Sequence, residues 1–216
     1  QSISQVTKPP IDTLREPRVM RLKTRFGNLR NVLDEDNSQT QILQLESPFV
    51  SNAGFEAMMA VFGRDVAEID CTFEAGGQDA LAAALARVRA EAEEAVRAGA
   101  NHLVLSDMGQ SETRAAMPMI LATSAVHSWL TRQGLRTFTS LNVRSAECID
   151  PHYFAVLIGA GATTVNAYLA EDTIADRVAK GLIAGILSEA VARYRAAIDQ
   201  GLLKIMSKMG ISVISS

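Results

Sequence analysis

The sequence predicts an α/β fold, built on a mainly parallel sheet of about five strands with βα repeats, as a half-barrel or an open doubly wound sheet, preceded by an extended N-terminal arm. Three observations lead there. From residue 44 onward, short runs of branched aliphatic residues alternate with segments of helical periodicity. Several of the helical segments stop at a glycine, at Gly99, Gly134 and Gly159. The chain is 48% hydrophobic but only 5% aromatic, so alanine, leucine and valine must make the core, as suits helices packed on aliphatic strands.

Residues 1–43 form the arm. Pro9-Pro10 forbids helix before it, and Arg15, Arg18, Arg21, Lys23, Arg25 and Arg30 follow with Glu16 opposing them, before the acidic cluster Asp34-Glu35-Asp36. A short helix is expected over 13–20. The basic run reads as a solvated or interdomain surface, because no aromatic residues are interleaved to stack on bases.

The body begins with a strand over 44–50 and a helix over 52–62 capped by Asn52. Residues 66–73 alternate as a strand does. The clearest helix spans 79–98, with Leu81, Ala84, Leu85, Val88, Ala92, Ala95 and Val96 on one face. A strand over 102–106 leads into the turn Asp107-Met108-Gly109, then a helix over 113–133 and a strand over 136–143. A helix over 151–158, a strand over 163–168 and helices over 171–180 and 185–200 follow. The last carries Leu187, Ala190, Val191, Tyr194, Ala197 and Ile198 as its apolar stripe. After Gly201 come an apolar segment over 202–208 and a strand over 211–214 that starts without partners.

Functional atoms of parallel sheets gather at the carboxyl ends of the strands. That selects Ser106 and Asp107, Asn142, and Asn166 with Tyr168. Asp107 is the best acid–base candidate by position, against the plainer reading of an aspartate that hydrogen-bonds its own turn. Phosphate-loop, HExxH and nucleophile-elbow patterns are absent, and Gly159-Ala160-Gly161 follows a helix where phosphate binding needs a strand. His102, His127 and His152 read as structural histidines, since a zinc site needs three or four converging ligands. Cys71 and Cys148 are too few for a disulfide framework and have no neighbour in sequence that would lower a thiol pKa. A net charge of −3, no basic leader and no run of about 18 apolar residues predict a cytoplasmic chain with neither nucleic-acid nor membrane partners.

One segment carries a resemblance. Residues 201–212, GLLKIMSKMGIS, are similar to the stretch that leads into the flavin barrel of glutamate synthases. The arm sequence QVTKPPID at 5–12, Arg15-Glu16, LESP at 45–48, AEEAVRAG at 92–99, Leu105-Ser106-Asp107 and LIGAGATTVNAYLA at 157–170 also resemble that family's central region. Lys8, Met108, Ala160 and Ala167 depart from the family's usual asparagine, arginine, tyrosine and proline. The resemblance implies an arm over 1–43, a central α/β domain over 44–200 and the start of the FMN-binding barrel over 201–216.

The resemblance further implies a role as scaffold and ammonia-channel wall between an amidotransferase domain and an FMN domain of one polypeptide, with a small subunit as a further partner. Ser106, Asp107, Asn142, Asn166 and Tyr168 become candidate interdomain or channel residues, with no catalytic, cofactor-binding or metal residue in the chain. The family's FMN, 3Fe-4S cluster and NADPH belong elsewhere in the enzyme, and two cysteines cannot supply the cluster's three ligands. Two rival classes are a stand-alone flavin- or phosphate-binding half-barrel enzyme and a ligand-sensing or assembly module. The partnerless strand over 211–214 argues against both, because exposed edge strands promote association.

Overall fold

The computed structural model describes residues 21–26 and 43–216. The helix expected over 13–20 and most of the arm lie outside these residues. Strands β1 (Thr24–Phe26) and β2 (Leu43–Leu45) pair antiparallel ahead of the body. The body follows as α1 (Asn52–Phe62), β3 (Val66–Asp70), β4 (Thr72–Phe73), α2 (Ala80–Arg97), β5 (His102–Ser106) and β6 (Ala115–Ala116). Then come α3 (Met119–Arg132), β7 (Ser140–Arg144), α4 (Pro151–Gly159), β8 (Thr164–Asn166), α5 (Tyr168–Ala179) and α6 (Leu187–Met209).

The central sheet is parallel throughout, in the order β3-β5-β7-β8. A fifth position is taken by the segment around Phe49, bridged in parallel to Val165 on the far edge. Val165 N donates to Pro48 O at 2.8 Å, and Val50 N donates to Val165 O at 3.0 Å. The strand expected over 44–50 is therefore two pieces: Leu43–Leu45 pairs with the arm, and only the residues beside Pro48 join the sheet.

The two faces of the sheet differ in chemistry. Leu103, Leu105, Leu141, Val143 and Val165 are at most 1% exposed and form one core with residues of α2, α3, α4 and α6. On the opposite face, Val104 packs with Val50 and with Phe55, Met58 and Phe62 of α1. The α1 face also carries His102, Ser106, Ser140, Asn142, Arg144, Thr164 and Asn166, which share the Val104 side by strand alternation and register. A single helix thus covers a largely polar face, while four helices cover an aliphatic one.

Several boundaries differ from the expected ones for local reasons. Helix α1 is capped by Ser51, whose Oγ accepts from Gly54 N, and Asn52 is its first helical residue. The strand expected over 66–73 breaks at Cys71, where Asp70 Oδ1 accepts from both the backbone N and the hydroxyl of Thr72. The helix expected from 113 starts at Met119, because Pro118 disfavours helix at Met117 and Ala115–Ala116 pair with β4 instead. Residues Arg136–Phe138 form a 3-10 turn before β7. Tyr168, expected at a strand end, opens α5. Helix α6 runs unbroken through Gly201, and among the described residues 211–214 pairs through a bridge from Val213 to Arg21.

Candidate functional site

Register brings one row of side chains to the carboxyl edge of the sheet. Asp70 pairs with Ser106, Ser106 with Arg144, and Arg144 with Asn166. Asp107 follows directly after β5, and Tyr168 stands two residues after β8. Four of the five residues selected from sequence, Ser106, Asp107, Asn166 and Tyr168, therefore gather at this edge. Asn142 does not. It sits mid-strand in β7, opposite Val104 and Thr164, one pleat below the edge. Its Nδ2 donates to Leu103 O and Ser140 Oγ, and its Oδ1 accepts from Thr164 Oγ1 at 2.6 Å.

Asp107 is fully buried and accepts the Tyr168 hydroxyl at 2.7 Å and the Ala146 amide at 2.9 and 3.1 Å. Burial pushes its carboxyl above the usual range, against the opposing pull of those two hydrogen bonds. Burial and the Asp107 contact likewise raise the Tyr168 phenol. The carboxylate is thus a tie between β5, the loop after β7 and α5, in addition to the contact with its own backbone that the plainer sequence reading expects. Ser106 Oγ accepts from Met108 N at 3.2 Å.

Asn166 completes the far end. Its Nδ2 donates to Val50 O and Asn52 Oδ1, and its Oδ1 accepts from Arg144 Nε at 3.1 Å. Arg144 lays its guanidinium 4.1 Å from the Phe55 ring centre and 5.7 Å from that of Tyr168. Glu171, also buried, accepts from Asn52 N at 2.8 Å, and burial raises its carboxyl. Sequence reasoning missed Arg144 and Glu171. The first had a usable signal, as the charged residue that ends the run Ser140–Arg144 beside Ser106; the second had none, because its partner Asn52 is 119 positions away.

The remaining candidates are structural in geometry. His102 stacks on Phe62 with ring centres 3.5 Å apart and places Nδ1 2.7 Å from Ser140 Oγ; burial brings its pKa down to about 4. His127 Nδ1 accepts from Arg136 Nε, whose other nitrogens donate to Thr139 O and Gly161 O. Cys71 and Cys148 are fully buried free thiols, and burial pushes the first up to about 12 and raises the second further. Among the described residues no cluster of three His, Cys, Asp or Glu side chains could hold a metal, and no helix is long and apolar enough to cross a membrane. The two thiols, Cys71 between β3 and β4 and Cys148 in the loop after β7, are too few for the three ligands of an iron–sulfur cluster.

The carboxylates, amide and phenol of this edge are engaged with partners in the chain. The comparisons with known proteins agree on the kind of chain this is. Residues 1–216 match the family model of the glutamate synthase central domain. The chain is 62% identical over 218 residues to the NADPH glutamate synthase large chain of Azospirillum brasilense, aligning 100% of this chain with 14% of that one. It is 37% identical to the corresponding large chain of Bacillus subtilis over 100% of this chain and 14% of the relative. It is 36% identical to the chloroplastic ferredoxin-dependent glutamate synthase of Spinacia oleracea, again over 100% and 14%. The chain therefore spans 14% of the length of these relatives. This end-to-end match, on a parallel α/β body, assigns the chain to the glutamate synthase central domain family.

Proposed function

We propose that this chain works as the central scaffold of a glutamate synthase large chain, the polypeptide that makes L-glutamate from glutamine and 2-oxoglutarate, and walls part of the ammonia passage between two active sites without supplying reacting groups. The observation that carries the reading is the match along all 216 residues to a domain that amounts to 14% of its relatives. The arm over 1–43, the body over 44–200 and the barrel start over 201–216 join it to an amidotransferase domain and an FMN domain, with a small subunit as further partner. The name of the Azospirillum relative supports NADPH as electron donor, and an oxidoreductase working in the cytoplasm is part of the same proposal.

Ammonia is a nucleophile only while neutral. Water on its path would protonate it at neutral pH, so the wall must exclude water and offer no unsatisfied groups to hold it. Asp107, Asn166 and Tyr168 support this reading, since each already has protein partners. A rigid body also fixes the separation and orientation of the two sites. In this reading the edge built by Ser106, Asp107, Asn166 and Tyr168 lies toward the neighbouring domains, these four buried side chains bracing it from within, and Asn142 stiffens the sheet beneath them.

The test is coupling in the complete enzyme. Asn166→Leu and Asp107→Leu should raise the ratio of glutamine hydrolysed to glutamate formed, with Ser106→Ala as a milder variant that spares the fold. Unchanged coupling in well-folded Asn166→Leu and Ser106→Ala proteins rejects the channel role.

A further inference from the structure

Among the described residues, Arg144 is the charged member of the edge whose hydrogen-bonding capacity is not spent. Its Nε is anchored on Asn166, and its guanidinium plane is held against Phe55 and Tyr168. Among the described residues, no acceptor meets its two terminal nitrogens. The carboxylates nearest in sequence and register are otherwise engaged. Asp107 accepts from Tyr168 and Ala146, Glu147 accepts from the Tyr153 hydroxyl, and Glu171 accepts from Asn52. Asp70, two strands away in the row, bonds Thr72 and Arg114. A half-buried, stacked guanidinium with its fork left open is preorganised for a planar bidentate acceptor, because the entropy of placing it has already been lost.

Its surroundings are those of a contact centre. The loops after β5 and β7 each present an exposed apolar residue, Met108 at 48% and Ile149 at 61%, and the first turn of α5 after β8 presents Leu169 at 48%. An arginine held against two aromatic rings, on an edge whose following segments expose apolar side chains, has the composition of an interface hot spot. Resting on the reading of this edge as one that faces a neighbouring domain, we propose that Arg144 is the anchor of that contact. It receives the carboxylate of an aspartate or glutamate from a segment of the same polypeptide outside residues 1–216. The occupant is a covalently joined segment because the relatives carry this domain as 14% of one chain, so its effective concentration at the edge is high. It is acidic because a half-buried cation that meets no carboxylate among the described residues calls for one.

Hydrogen exchange read by mass spectrometry on the full-length polypeptide tests this, comparing the parent with Arg144→Lys and Arg144→Gln. In the parent, peptides containing Met108, Ile149 and Leu169 should be protected. Arg144→Gln should speed their exchange by roughly tenfold or more, together with one peptide outside residues 1–216 that contains an acidic residue. Arg144→Lys should fall between, because it keeps the charge but not the fork. High salt should reproduce part of the effect in the parent and none in Arg144→Gln. Unprotected edge peptides in the parent overturn both this inference and the reading beneath it. Protected edge peptides that Arg144→Gln leaves unchanged overturn the inference alone. Faster exchange confined to 52–62 and 168–179 also overturns it, by reducing Arg144 to internal packing on Phe55 and Tyr168.

Discussion

Gly201 sits in the interior of α6, where alanine would ordinarily be favoured by about 0.8–1.0 kcal/mol. Here alanine should instead destabilise the chain. A Cβ at this position would lie 2.4 Å from both Cβ and Cγ of Pro151, the first residue of α4. Carbon atoms prefer about 3.5–4.0 Å, so more than about 1 Å must be found by moving one helix against the other. The proline ring has no alternative rotamer to swing into, and its backbone is fixed at the start of α4 by the Asp150 cap on Tyr153 N. Overpacking of this kind costs about 1–3 kcal/mol. After subtracting the propensity gain, Gly201→Ala should lose about 1 kcal/mol. Gly159 is the control: it closes α4, and a Cβ there meets nothing within 4 Å, so Gly159→Ala should be neutral or slightly stabilising. Urea unfolding followed by circular dichroism reads both as midpoint shifts at constant slope. In Pro151→Gly/Gly201→Ala the clashing atoms are gone, and the two losses should add to less than their sum. A Gly201→Ala protein as stable as Gly159→Ala refutes the close-approach account.

Gly161→Ala should be costlier, by about 3 kcal/mol or more, since its φ of +119° strains any side chain and its Cβ would fall 2.4–2.7 Å from the His127 ring; the same unfolding experiment measures it. Cys71 and Cys148 should react with thiol reagents at pH 8 only as fast as the chain opens, because a thiol at about 12 holds on the order of a thousandfold less thiolate than a free one; rapid native labelling refutes this. Lowering the pH from about 6.5 towards about 4 should destabilise the fold through His102, whose folded value is depressed, so that the unfolded chain binds the extra proton in that window. His102→Gln should flatten that slope, and a slope unchanged in the variant assigns the effect to other groups.

Much of this architecture was legible because it depends on local pattern. The strand expected over 102–106 is β5, and the helix expected over 79–98 is α2 with its two capping residues, since aliphatic alternation and a 3.6-residue stripe carry their own burial requirement. Ser106, Asp107, Asn166 and Tyr168 were found by the rule that strand ends gather function, which needs only the order of elements. Asn142 was misplaced by the same rule because the end of β7 lies two residues further on, at Arg144. The helix expected to stop at Gln200 continues because Gly201 answers to Pro151 on another helix and not to its own cap.

The sequence by itself determined the class of fold, the aliphatic core, the near-absence of reactive motifs and the family resemblance in segments such as 201–212. All of these are set by composition, short-range periodicity or contiguous residues. Only the tertiary structure decided that Asp107 ties three elements together and that the α1 face of the sheet is polar. It also decided that Arg144 stands with an open fork among aromatic rings. Those properties depend on contacts such as the 61 positions between Asp107 and Tyr168. Strand register creates them, and register is a property of the assembled sheet that no single segment contains.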